Sequence, residues 1–194
     1  MSGVADLVWV GAALADAGLV TSHGGNLSLR DGDVIRITRT RAMLGRLTPA
    51  DVVAVPLRGD DAAPQRSAGA SSDLPVHRAI YAAAPEARAV VHAHPVTAAA
   101  LSLALGEGAS FQPVDLEGRL HLDRVPIVGG PHLDAAGAAA PVAAAIAAGR
   151  RLVLLAGHGT YAVGASLEEA LNWTTSCEAS AKMLRDARLF GWQP

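Results

Sequence analysis

The sequence predicts an α/β protein, and three observations carry that prediction. Short β-branched or aliphatic runs bounded by Gly, Pro or Asp recur at residues 52–55, 89–91, 125–128 and 152–155, the pattern of buried strands. Ala- and Leu-rich stretches of helical length separate them, at 95–105 and 135–149. Hydrophobic residues make up 51% of the chain but aromatics only 4%, which favours closely packed Ala-rich helices over a bulky aromatic core. The 194 residues suit one compact domain spanning 1–194.

Taken in order, Ser2 can cap a first helix carrying Leu7, Val10, Leu14 and Ala17, with Gly18 as its stop. Leu27 and Leu29 alternate with Ser28 and Arg30 as a half-buried strand. Asp31-Gly32 is a turn signal, and Val34, Ile35 and Ile37 form the returning strand of a hairpin. Just before it, Gly24-Gly25-Asn26 can form an anion-binding nest of backbone N–H groups, or a plain flexible loop. Thr48 and Pro49 open a one-turn helix before the strand at Val52, Val53 and Val55. Residues 58–70 read as an exposed polar loop inside one domain.

In the next helix Ser72 is the expected N-cap, and Leu74, His77, Ile80 and Tyr81 form one face. Its start, with the hydroxyls of Ser71 and Ser72, suits a phosphate; capping by Ser72 and dipole compensation by Asp73 explain the same residues without a ligand. His77, one turn past Asp73, reads as a buried histidine, or one that supports the site from behind its ligands, before it reads as a metal ligand. Pro85 ends the helix.

Ala89-Val90-Val91-His92-Ala93-His94-Pro95 follows as a strand. Side chains two apart share a side, so His92 and His94 lie together at the strand's C-terminal end, where Pro95 stops it. Such a pair is two-thirds of a catalytic zinc site, although hydrogen-bonded sheet histidines fit the pattern equally. A helix over 95–105, a strand over 111–115 leading into Leu116-Glu117-Gly118-Arg119, and a strand over 125–128 come next. Asp134 caps the Ala-rich helix that ends near Gly149. The strand over 151–155 runs into Gly157-His158-Gly159, and Ser166-x-x-Glu169 is a capping box opening a last helix with Leu167, Leu171, Thr174, Cys177 and Leu184.

Composition excludes several classes. A net charge of −2 with no run of Lys or Arg argues against nucleic acid. The single cysteine, Cys177, rules out an internal disulfide framework and fits a reducing compartment. The first ten residues contain Asp6 and no basic n-region, unlike a signal peptide. The longest apolar stretch, 135–148, is broken by Pro141 and falls short of the ~20 residues a membrane span needs. A soluble cytoplasmic protein without membrane or nucleic-acid partners is expected.

His92, His94 and His158 all fall at strand ends, and three imidazoles with an open fourth position make a Lewis-acid zinc site. Asp73 adds a carboxylate that can serve as ligand, as general acid/base, or as each in turn. Gly25, Asn26, Ser71 and Ser72 surround them with phosphate-compatible donors.

The order Gly-Gly-Asn-Leu-Ser-Leu-Arg, Ser-Ser-Asp-x3-His-x3-Tyr, Val-Val-His-Ala-His-Pro and Gly-His-Gly resembles the class II aldolase/adducin family, and within it the L-fuculose-phosphate aldolase type, with L-ribulose-5-phosphate 4-epimerase as a relative. The resemblance runs from about residue 14 into the last helix. It implies a three-layer fold, a central mixed, largely antiparallel sheet with helices on both faces. It also implies a homotetramer with active sites at subunit contacts. Residue by residue, it assigns His92, His94 and His158 to zinc, or another divalent transition metal, and Asp73 to acid/base catalysis. Gly25, Asn26, Ser71 and Ser72 would hold a sugar phosphate.

The chain departs from the family at three places. Asp73 stands where aldolases often carry Glu, and Thr38-Arg39-Thr40-Arg41 replaces the family's Thr-Pro-x-Gly, leaving Thr40 as a phosphate donor. The C-terminal tyrosine proton donor is missing, since the only tyrosines are Tyr81 and Tyr161. The leading expectation is a zinc-dependent aldolase that cleaves a ketose 1-phosphate to dihydroxyacetone phosphate and an aldehyde. The single lysine, Lys182, argues against a Schiff-base mechanism. A sugar-phosphate 4-epimerase or sugar-acid phosphate decarboxylase is the alternative, motivated by Asp73, Asp115 and Glu117; the last two also read as a solvated strand edge. A non-catalytic adducin-like module is disfavoured because all three histidines are kept.

Overall fold

The computed structural model describes residues 3–59, 69–130 and 134–193. The helix cap expected at Ser2 and most of the loop expected at 58–70 lie outside the described residues. Eight strands form one sheet in the order β3-β2-β1-β4-β8-β7-β6-β5. In sequence these are β1 (Asn26–Asp31), β2 (Val34–Thr38), β3 (Val52–Pro56), β4 (Ala89–Ala93), β5 (Ser110–Phe111), β6 (Val125–Val128), β7 (Leu152–Leu155) and β8 (Gly159–Gly164). All neighbours are antiparallel except β6 and β7. The parallel pair is joined through a helix, as a parallel connection requires.

Helices cover both faces. On one lie α1 (Gly3–Asp16), α3 (Val96–Leu105), α4 (Leu116–Leu122) and α6 (Leu167–Leu189). Their apolar residues meet Leu27, Val91, Ala93, Leu152, Leu154 and Ala162 of the sheet. On the other, α2 (Leu74–Ala83) and α5 (Ala135–Ala147) lie over Ile35, Ile37, Val90, Val153 and Tyr161. Alternate residues of β4 therefore enter different layers, and every residue of it is buried. Burial on both faces is why its apolar run shows no polar alternation.

Several local expectations hold. Asp134 accepts from Gly137 N–H and caps α5; Ser166 accepts from Glu169 N–H and caps α6. Gly18 sits at φ 67°, the left-handed stop of α1. Pro141 lies within α5 without ending it.

Three expectations need correction. Ser72 is exposed and does not cap α2: Asp73 occupies the N-cap position, and Ser71 Oγ accepts the Asp73 N–H at 3.2 Å. The strand expected over 111–115 is confined to Ser110–Phe111. Asp115 instead caps α4, accepting from Gly118 N–H at 2.9 Å, and exposed Glu117 lies in that helix's first turn, so neither is a strand edge. Finally, β8 was not marked by the periodicity of the sequence, yet it is central, paired with both β4 and β7.

Candidate metal centre

The site forms where β4 ends in the middle of the sheet. His92 is paired across the ladders with Asn26 of β1 on one side and Tyr161 of β8 on the other, so all three project to the α2 face. The His92 ring is buried and stacks on Tyr161, with centroids 4.1 Å apart and planes 14° from parallel. Its Nδ1–H donates to the Thr160 carbonyl at 2.9 Å, which leaves Nε2 bare toward the site.

His94 lies just past β4, whose last residue is Ala93; its N–H donates to Leu19 O at 2.8 Å. Its ring lies against Gly24, where a Cβ would stand 2.8 Å from Nδ1. His158 lies in the turn between β7 and β8, and its N–H donates to Leu155 O. The hydroxyl of Ser102, buried on α3, accepts from Gly157 N–H at 2.9 Å and pins that turn. Gly159 lets β8 approach β4, since a Cβ there would collide with the Ala93 carbonyl.

The three rings converge. His92 Nε2 lies 3.0 Å from His94 Nε2 and 3.1 Å from His158 Nε2. Three nitrogens at Zn–N bond lengths around one tetrahedral centre stand roughly 3.3 Å apart, so the donor set fits a divalent transition metal. Burial drives the His92 pKa down to about 3, and the neighbouring His94 and His158 reinforce this against the Asp73 carboxylate. Burial likewise lowers that of His94. Neutral imidazoles are the form that binds a cation.

Asp73, at the start of α2, places Oδ2 3.4 Å from His92 Nε2. That oxygen accepts from Asn26 Nδ2 at 2.8 Å and from Tyr161 OH at 3.2 Å. Burial alone would raise the Asp73 pKa, but His92, the Asn26 amide, His77 and Tyr161 outweigh it and hold the carboxyl below its usual range. The Tyr161 phenol moves the other way, raised by burial and by Asp73, so it keeps its proton and remains a donor. Asp73, His77 and Tyr81, four apart on α2, lie over Asn26 and Ser28, two apart on β1. The stripes interlock: His77 Nε2 meets Asn26 Oδ1 at 2.5 Å, His77 Nδ1 meets Ser28 Oγ at 2.6 Å, and Ser28 Oγ meets Tyr81 OH at 2.8 Å. His77 is therefore buried away from the three-histidine group, as expected. Tyr161 was missed, and the one signal that could have revealed it is the Thr160-Tyr161-Ala162-Val163 strand pattern.

Around this core lie the residues expected to hold phosphate. Gly25, at φ 78°, brings the start of β1 against β4, where a Cβ would stand 2.7 Å from His92 O. Ser71 N–H donates to Thr38 O, and Thr40 N–H to Gly69 O, which places Thr40 on the segment beside Ser71 and Ser72. Arg41 adopts φ 59°, a left-handed conformation glycine would take freely.

The fold and the histidine cluster together define an α/β enzyme built around a candidate metal centre. The family model for the Class II Aldolase and Adducin N-terminal domain matches residues 5–184, and the chain belongs to that family. Methylthioribulose-1-phosphate dehydratase from Acidiphilium cryptum is 35% identical over 93% of this chain and 91% of its own. The 3-oxo-tetronate 4-phosphate decarboxylase of Escherichia coli is 30% identical over 92% and 84% respectively. Among solved structures, l-fuculose-1-phosphate aldolase from Thermus thermophilus superposes with a TM-score of 0.84 at 37% identity, covering 98% of this chain and 97% of that one. The chain is thus an enzyme of a lyase-type superfamily. Among the described residues no helix is long and apolar enough to cross a membrane.

Proposed function

We propose that this protein is a zinc-dependent lyase that removes water or carbon dioxide from a phosphorylated ketose or keto acid. The observation that carries the reading is the placement of Asp73, its Oδ2 clamped by Asn26 and Tyr161 and 3.4 Å from His92 Nε2. His92, His94 and His158 would hold the cation, which when bound supplies Lewis acidity to the substrate's carbonyl and hydroxyl oxygens as charge develops there. Asp73 then works through Oδ1, the oxygen that Asn26 and Tyr161 leave open: it takes the proton next to the ketone, or returns one to the departing group. Gly25, Asn26, Thr40, Ser71 and Ser72 would hold the phosphate and keep the reacting carbons over the histidines.

Retro-aldol cleavage, the leading expectation from the sequence, becomes the second reading. The dehydratase and decarboxylase relatives support loss of water or carbon dioxide, while the aldolase structure at 37% identity keeps cleavage in view. A homotetramer accords with the apolar residues left exposed on α3, α4 and after α6, among them Val96, Leu116, Leu120 and Phe190.

The test is to measure bound metal, then to incubate the zinc-loaded protein with methylthioribulose 1-phosphate, 3-oxo-tetronate 4-phosphate and fuculose 1-phosphate. Dehydrated product or carbon dioxide is expected. Free aldehyde, or an epimerised sugar, would select aldolase or epimerase chemistry instead. Zinc-loaded protein that turns over none of the panel would overturn the reading.

A further inference from the structure

The hydrogen-bonded row between α2 and β1 has a direction, and Asp73 imposes it. An ionised carboxylate only accepts, so Asn26 must turn its NH2 toward Asp73 Oδ2 and its Oδ1 toward His77. Oδ1 only accepts as well, so the hydrogen on His77 sits at Nε2. Burial keeps the His77 imidazole neutral, with its pKa pushed down to about 4. Nδ1 is therefore bare and accepts the Ser28 hydroxyl proton, and Ser28 Oγ in turn accepts from Tyr81 OH. Burial raises the Tyr81 pKa, which keeps that last proton in place. Every polar atom in the row has one allowed role.

We infer that His77 is a positioning residue: by donating from Nε2 to Asn26 Oδ1 it locks the Asn26 amide in the one flip that delivers an N–H to Asp73. With the reverse flip, Oδ1 would face the carboxylate and two acceptors would be pressed together. The lock also leaves the amide's second N–H without an acceptor among the described residues, so Asn26 can join Asp73 to a substrate oxygen. Ser28 and Tyr81 act one step further back by fixing which His77 nitrogen carries the hydrogen. The kinetic consequence rests on the lyase reading above; the lock itself does not.

The experiment uses 15N-labelled full-length protein and NMR of the histidine rings and asparagine side chains, with His77→Gln and His77→Asn compared. Glutamine places an N–H close to where Nε2 lies; asparagine keeps an acceptor near Nδ1 but reaches Asn26 with nothing. In the wild type His77 is expected neutral with its hydrogen on Nε2. Solvent exchange of the Asn26 amide should accelerate about tenfold or more in His77→Asn and stay within about twofold in His77→Gln, with zinc content unchanged in both. Turnover should follow the same order, kcat falling roughly ten- to a hundredfold in His77→Asn and staying near the wild-type value in His77→Gln. A wild-type hydrogen on Nδ1, or equal exchange in the two variants, would overturn the lock. Wild-type protein without turnover would count against the lyase reading, while the tautomer, read on unmutated protein, still decides the lock.

Discussion

Below β4, Ala89, Val91 and Ala93 enter a layer of Leu7, Leu14, Leu27, Trp173 and Cys177; above it, Val90 and His92 lead to Asp73, Asn26, His77, Ser28 and Tyr81. Both sides contain buried polar groups. On the α6 side Thr174 and Glu178 serve backbone. Thr174 donates to the Ala170 carbonyl of its own helix, and the Glu178 carboxylate accepts the N–H groups of Thr97 and Ala98 at the start of α3. On the α2 side the polar groups join side chains from distant parts of the chain and end on a carboxylate beside three histidines. A polar group whose partner is backbone closes a helix; a row of polar side chains facing one another holds a reactive group in one orientation.

The sharpest break between the two roles of histidine should come from metal content. His94→Ala is expected to abolish zinc binding, with activity falling by more than about 10³-fold, whereas His77→Ala should retain about one zinc per chain. Atomic emission on the purified proteins reads this directly, and zinc lost equally from both would put His77 among the ligands.

Truncation below the sheet should do the opposite. Leu27→Ala empties a fully buried site on the α6 side, and urea unfolding should show about 2–5 kcal/mol lost with the zinc stoichiometry intact. Metal loss from the folded variant would show that the two layers are mechanically one.

The mildest contrast is with pH. His77 has its pKa lowered from 6.5 to about 4 in the folded state, so between these values the unfolded chain binds a proton that the folded chain does not. Stability therefore rises with pH through this window and is lost as pH falls through it, by an amount on the order of 3 kcal/mol. In chelator-treated protein, unfolding free energies from pH 4 to 7.5 should show a shallower acid-side loss for His77→Gln than for the wild type. Parallel curves would mean that His77 is not held neutral by burial.

Patterns confined to a few neighbouring residues were legible in the sequence. The helix caps at Asp134 and Ser166, the hairpin at Asp31-Gly32 and the His92–His94 pair are all short-range, because capping, turn geometry and strand alternation each act within a few positions. What misled was also local. Ser72 has the chemistry of a cap, but the chain enters α2 one residue later, with the Ser71 hydroxyl taking the Asp73 N–H. Asp115 resembled a strand edge until the α4 turn formed behind it.

By itself, then, the sequence determined which residues could bind a cation and which elements would carry them. Only the tertiary structure decided what holds Asp73. Asn26 and Tyr161 lie 47 and 88 positions from it and reach it because β1 and β8 flank β4 in register, with His92 opposite both. The alternation within a strand fixes which side chains share a face, but which strands become neighbours is set by how two helix layers bury the whole sheet.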